Sequence, residues 1–253
     1  MQHVARTPGL HFPTVLGADV PSYNVPGVAA ELNFTPDALA GIFLGRITHW
    51  NDPELVKANP TVRLPADKIV VVHRSDGSGT TYVWADYLSK VSAEWKSRIG
   101  TATSVNWPVG LGAKGNEGVS GLIKETADSI GYVELIYAVQ HKLLYGRVRN
   151  SSGVFVKAAL TNIVAAAATA ATSMPEDFRI SISNPAGKTA YPISSFSWLL
   201  ILDKIRDQAK KAVIIDFLKW MLTQGQNTTE ALSYARLPRA VVAQELKAIS
   251  KIQ

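Results

Sequence analysis

Residues 74–81 read Arg-Ser-Asp-Gly-Ser-Gly-Thr-Thr, between the apolar run Ile69 to His73 and a stretch with Tyr82, Trp84, Leu88 and Val91 at helical spacing. A strand, a Gly-rich turn and a helix start meet here. A helix N-terminus presents unpaired N–H groups and about half a positive charge. Gly77 and Gly79 let the backbone approach an anion, and Ser78 and Thr80 add hydroxyl donors. Arg74 can fork two N–H bonds onto phosphate or carboxylate oxygens, and Asp76 would hold that guanidinium in one rotamer. A capped turn carrying a surface ion pair accounts for the same spacing, because Gly-Ser-Gly turns are common.

Two enzymatic versions of this turn fail on residue type. A P-loop needs a Lys before its last Ser or Thr, and Gly79 stands there; a nucleophile elbow needs Gly two positions either side of the Ser, where Ser78 has Asp76 and Thr80. Ser78 is read as a hydrogen-bond donor and no catalytic residue is expected. His3, His11, His49, His73 and His141 never fall at metal-ligand spacing, and cysteine is absent, so no metal site or cofactor is expected. His73 is read as structural. The six tryptophans, Trp50, Trp84, Trp95, Trp107, Trp198 and Trp220, are read as core. A second Gly-rich stretch, residues 110–118 with Lys114 and Asn116, is either another anion loop or an exposed connection.

The elements that must position these residues alternate. Leu10 to Val20 is a strand running into a crossing segment at residues 21–27. Thr35-Pro36 and Asp52-Pro53 open short helices, Ile69 to His73 is a buried strand, and further helices cover about Val119 to Thr126 and Ala158 to Ala171. Ile130 to Val133 is a strand, followed by a helix with Ile136, Val139 and Gln140. Tyr191 to Leu202 is β-rich. A helix from Lys204 to Thr223 sets Ile205, Ala209, Val213, Phe217 and Trp220 on one face, with Gly225 as its C-terminal cap. This order implies an α/β fold with parallel pairing.

With 253 residues, 47% hydrophobic and 18% charged, the chain has the composition of a globular protein of one large or two modest domains. The net charge of +6 is spread singly, and its densest cluster (Lys204, Arg206, Lys210, Lys211) also carries Asp203 and Asp207, so a solvated face is expected and no nucleic acid. No run is long and apolar enough to span a bilayer. The first residues lack the basic and apolar regions of a signal peptide, so the chain as written is expected to carry no export signal.

Four ordered motifs carry a resemblance: residues 40–52 (Ala-Gly-Ile-Phe-Leu-Gly-Arg-Ile-Thr-His-Trp-Asn-Asp), residues 74–81, residues 106–110 (Asn-Trp-Pro-Val-Gly) with 115–118 (Gly-Asn-Glu-Gly), and residues 131–134 (Gly-Tyr-Val-Glu). From about Leu10 onward the chain resembles the phosphate-binding proteins of high-affinity phosphate ABC transporters. The resemblance implies a two-lobed, Venus-flytrap periplasmic-binding-protein fold that encloses inorganic phosphate and delivers it to permease subunits. It implies a monomer in the periplasm or at the cell surface. On that pattern Arg74, Ser78, Gly79 and Thr80 match the phosphate ligands, with Asp76 and Gly77 supporting. Residues 27–188 would form one lobe, and residues 1–26 with 189–253 the other, joined by crossings near Ser22–Pro26 and Tyr191–Ser194.

In the family, a segment with a Thr-Phe loop, a Ser-bearing loop and a proton-accepting Asp precedes the counterpart of Phe12-Pro13-Thr14-Val15. Its counterpart is not seen, so the second lobe is expected to be incomplete at its N-terminal side. The alternative is a shortened homologue that acts as an interaction module or binds anions weakly and without selectivity. A phosphohydrolase is disfavoured, because no carboxylate or histidine cluster accompanies the anion loop. Asp19, inside an otherwise apolar strand, is atypical of the family.

Overall fold

The computed structural model describes residues 9–171 and 173–253; the opening residues read for a signal peptide, and His3, lie outside them. The strands among the described residues are β1 (Gly9–Asn24), β2 (Asn33–Phe34), β3 (Val70–Arg74), β4 (Leu111–Ala113), β5 (Ser129–Glu134), β6 (Leu144–Tyr145), β7 (Arg147–Arg149), β8 (Phe155–Val156) and β9 (Ser194–Leu202). The α-helices among the described residues are α1 (Pro36–Phe43), α2 (Pro53–Ala58), α3 (Gly79–Val91), α4 (Ala93–Arg98), α5 (Gly115–Glu125), α6 (Leu135–Gln140), α7 (Leu160–Ala170), α8 (Gln208–Leu222) and α9 (Arg239–Ala248).

Local chemistry sets the first helices. Thr35 accepts from the Ala38 N–H at 3.1 Å and Asp52 from the Glu54 N–H at 3.0 Å, each followed by a proline whose missing N–H costs a helix start nothing. Ser78 caps α3 in the same way, accepting from the Thr81 N–H at 3.2 Å.

The sheet is mixed rather than parallel throughout. In the order β4-β3-β5-β1-β6, β3 runs parallel to both β4 and β5 through helical crossovers, while β1 runs antiparallel to β5, β6 and β9. Strand β1 also runs further than its sequence suggests, to Asn24, because residues 19–24 find a partner in β5. Its Pro13 falls at a register shift against β9, where a missing donor is tolerated. Along its length β1 changes partner: residues up to Ala18 pair with β9, and those from Asp19 pair with β5.

Beneath the β3–α3 turn lies an aromatic core. Trp84 stacks on Tyr132 at 5.1 Å, Trp107 on Tyr132 at 5.5 Å, and Phe43 packs edge-on to Trp84 at 5.2 Å. His73 stacks on Trp107 at 4.8 Å and its Nδ1 lies 3.0 Å from the Arg74 carbonyl, which fits the structural role expected of it.

Three expectations are corrected in the C-terminal part. Helix α8 starts at Gln208 behind an Asp207 cap and buries Leu218, Met221 and Leu222, so Val213 (68% exposed), Phe217 and Trp220 (47%) face outward instead of inward. Trp198 and Trp220 are therefore not core, although Trp50, Trp84 and Trp95 are fully buried. Gly225 sits inside a 3-10 turn, Gln224–Thr228, with no left-handed φ; the helix ends at Thr223, whose hydroxyl returns to the Lys219 carbonyl.

Candidate functional site

Arg74 ends β3 with a side chain only 9% exposed. Its Nε and Nη2 each donate to one oxygen of Asp76 at 2.7 Å, the forked brace expected from the sequence. The guanidinium, followed by a hydrogen bond from the Gly115 N–H at 3.1 Å, holds the Asp76 carboxyl far below the usual carboxylate range. The charge pair fixes the rotamer while leaving Nη1 unengaged by Asp76.

Past Asp76 the backbone opens. A Cβ built on Gly77 or Gly79 would meet nothing within 4 Å, and neither residue has a left-handed φ. Glycine serves here to clear space in front of the backbone, not to permit a special conformation. The N–H groups of Gly79 and Thr80, at the start of α3, have no acceptor among the described residues. Ser78 and Thr80 accept bonds through their hydroxyl oxygens, from the Thr81 N–H and from Asn116 Nδ2 at 3.2 Å, so their protons remain available to donate. Below them Tyr132 Oη bonds Thr81 Oγ1 at 2.7 Å and accepts from the Arg74 N–H at 3.3 Å, tying strand, turn and helix to the aromatic stack.

Arg74, Gly77, Ser78, Gly79 and Thr80 all line one cleft of about 480 Å³. Ser195 to Trp198 of β9, Asp19, Glu134, Tyr82, Val83 and Thr103 also line it. Burial, opposed by the Tyr234 hydroxyl at 3.1 Å and by Arg74, raises the Glu134 carboxyl. Asp19, Glu134 and the β9 serines are cleft-lining residues that the sequence does not single out as such. A charged residue between Ala18 and Val20 was the one local signal for Asp19; the others come to the cleft only through long-range pairing.

The second Gly-rich stretch proves to be a buttress. Its Gly115 N–H binds Asp76, and Asn116 links Thr80 to the Glu134 N–H, which it accepts at 3.3 Å. Helix α5 consequently begins at Gly115, ahead of the expected Val119. No group of three or more His, Cys, Asp or Glu among the described residues could hold a metal ion.

Residues 3–224 match the PBP superfamily domain. The chain is 44% identical over 234 residues to the phosphate-binding protein PstS of Xylella fastidiosa, covering 92% of this chain and 64% of that protein. It is 41% identical to PstS of Pasteurella multocida, covering 92% of this chain and 68% of the relative. A solved structure of a high-affinity periplasmic phosphate-binding protein with phosphate bound superposes with a TM-score of 0.71 at 22% identity, over 94% of this chain and 70% of that one. The chain belongs to the PBP superfamily and, within it, to the family of the phosphate-binding proteins PstS. It has their two-lobed α/β fold and spans about two thirds of their length.

Proposed function

We propose that this chain binds inorganic phosphate on the Arg74–Thr80 turn, as the solute-binding component of an ABC-type phosphate importer. Arg74, Ser78, Gly79 and Thr80 are the ligands, with Asp76 and Gly77 in support. The observation that carries this reading is the convergence in one cleft of a rotamer-locked guanidinium, free N–H groups at a helix start and two hydroxyls with donor capacity. The names of the relatives support phosphate as the anion. Delivery to permease subunits, a periplasmic or cell-surface location, action as a monomer and the absence of catalysis are part of the same reading. No helix of the described residues is long and apolar enough to cross a membrane.

The lobes of this reading are residues 27–188 and residues 1–26 with 189–253. The change of partner within β1 and the bonds that tie Asp19 to Tyr191 and Ile193 support two adjacent crossings. Calorimetric titration with phosphate tests the site. Charged hydrogen bonds contribute about 1.5–3 kcal/mol, so Arg74→Ala is expected to weaken binding at least about tenfold. Arg74→Lys should recover only part, because an ammonium cannot fork. Unchanged affinity in Arg74→Ala would remove the site.

A further inference from the structure

Asp19 is the least expected group in the cleft. Leu16, Ala18 and Val20 around it are buried, and Asp19 itself is 2% exposed. Its Oδ2 is buried and has no hydrogen-bond partner, and Asp19 is among the residues that line the cleft with Arg74, Ser78 and Glu134. It also sits where β1 passes from β9 to β5. Its N–H donates to the Ile193 carbonyl at 3.0 Å, and its carbonyl accepts from the Tyr191 hydroxyl at 2.9 Å, so the chain segments joining the two halves meet at this residue.

The cross-strand partner of Asp19 is Glu134. Two carboxylates facing each other across an antiparallel pair repel when both are ionised, and a buried carboxylate without donors is poorly solvated. The groups that act on Asp19 are Arg74 from β3, Tyr132 and Glu134 from β5, Tyr191 from the segment before β9, and Tyr234 from the C-terminal part. Arg74 is the cation among them, and its fork is engaged by Asp76. Burial first and Glu134 second push the Asp19 carboxyl well above the ordinary range, against the pull of Arg74. An anion arriving on the Arg74–Thr80 turn adds negative charge to the same cleft and favours the neutral form further.

We propose that Asp19 is a specificity-determining, proton-carrying residue of the anion cleft: its carboxyl is neutral in the liganded state, presents an O–H donor to the bound oxyanion, and takes that proton from solvent when a dianion enters. The inference rests on the anion-binding reading above and deepens it. A neutral Asp19 donates to any oxyanion, whereas an ionised one repels a dianion and tolerates only an oxygen that carries its own proton. The choice between protonated and fully deprotonated anions is therefore set by pH through this residue.

Sulfate is the cleaner probe, since it carries no titratable proton near neutral pH, and any pH dependence of its binding belongs to the protein. Sulfate and phosphate are titrated calorimetrically into the full chain and its Asp19→Asn and Arg74→Ala variants, in buffers of different ionisation enthalpy. Wild type is expected to take up as much as one proton per sulfate, with affinity falling by up to about tenfold per pH unit as pH rises. Asp19→Asn, a permanent donor that cannot titrate, should show no uptake and a flat profile. Uptake in Asp19→Asn equal to that of wild type, or none in wild type, overturns the inference. Binding that persists in wild type and is lost in Arg74→Ala, without proton uptake, overturns it alone, whereas failure of wild type to bind either anion removes the anion-binding reading as well. Carboxyl NMR of unliganded wild type gives a measurement independent of any variant: an Asp19 that titrates in the ordinary aspartate range overturns the inference too.

Discussion

The region around the β3–α3 turn and the outer faces of β9 and α8 treat their large apolar side chains in opposite ways. Around the β3–α3 turn, Phe43, Trp84, Trp95 and Tyr132 are fully buried, with Trp84 stacked on Tyr132 and Phe43 edge-on to Trp84 beneath residues 74–80. In β9 and α8 the large apolar groups Trp198, Leu200, Leu202, Val213, Phe217 and Trp220 face outward. The first half supports the Arg74–Thr80 turn from beneath, which suits the anion-binding role proposed for it, since a guanidinium and a helix start bind best when their geometry is set beforehand. The second half contributes residues 195–198 to the cleft lining. Tight aromatic packing is concentrated around the β3–α3 turn, and the contrast can be broken from either side.

The largest effect is expected in the aromatic stack. Trp84 is fully buried between Phe43 and Tyr132, so Trp84→Ala leaves a large cavity and should cost about 3–5 kcal/mol by chemical denaturation. A loss under about 1 kcal/mol would mean that the stack does not hold this half together.

Next comes a buried charge in the other half. Glu245 on α9 is fully buried, neither of its carboxyl oxygens has a partner, and burial raises its pKa to about 9. Its folded value lies above the unfolded 4.5, so the folded state binds the extra proton. The associated stability is fully present below the unfolded value and is lost as pH rises from about 4.5 toward about 9. Glu245→Gln removes that loss and should raise stability by roughly 2 kcal/mol near neutral pH, with the gain growing as pH increases. Wild-type and variant melting curves that stay parallel across this range would show that the carboxyl reaches water.

A smaller effect tests the link between stack and site. Tyr132→Phe keeps the ring but removes the hydroxyl that bonds Thr81 and accepts from Arg74, so it should cost about 1 kcal/mol in stability and loosen phosphate binding by a few-fold. Stability loss with unaltered binding would separate the aromatic support from the site.

What the sequence revealed follows the reach of each interaction. The helix starts at Pro36, Pro53 and Gly79, and the Arg74–Asp76 brace, depend on residues within a few positions of one another, and the structure has them where spacing placed them. The cross-strand pairing of Asp19 with Glu134 depends on register between distant segments, which neither segment encodes alone. Helix α8 shows the other limit. Its Val213, Phe217 and Trp220 form a convincing apolar stripe, but periodicity identifies a stripe without saying what packs against it, and here α8 packs through Leu218, Met221 and Leu222.

That stripe also gives the smallest expected effect and the sharpest test of the comparison. A side chain already facing water loses little when shortened, because its transfer from water is never completed on folding. Leu200 is 67% exposed and Trp220 47%, whereas Trp84 is fully buried. Leu200→Thr and Trp220→Ser should each change stability by less than about 0.5 kcal/mol, an order of magnitude below Trp84→Ala. They should nevertheless reduce binding of an apolar dye, since exposed large side chains are what such a dye senses. Because the two substitutions lie on different elements, β9 and α8, their effects on dye binding should add if each face is independently hydrated. A cost near 2 kcal/mol for either one would show that its face is covered in solution, and the contrast between a packed site half and an open second half would then fail at that element.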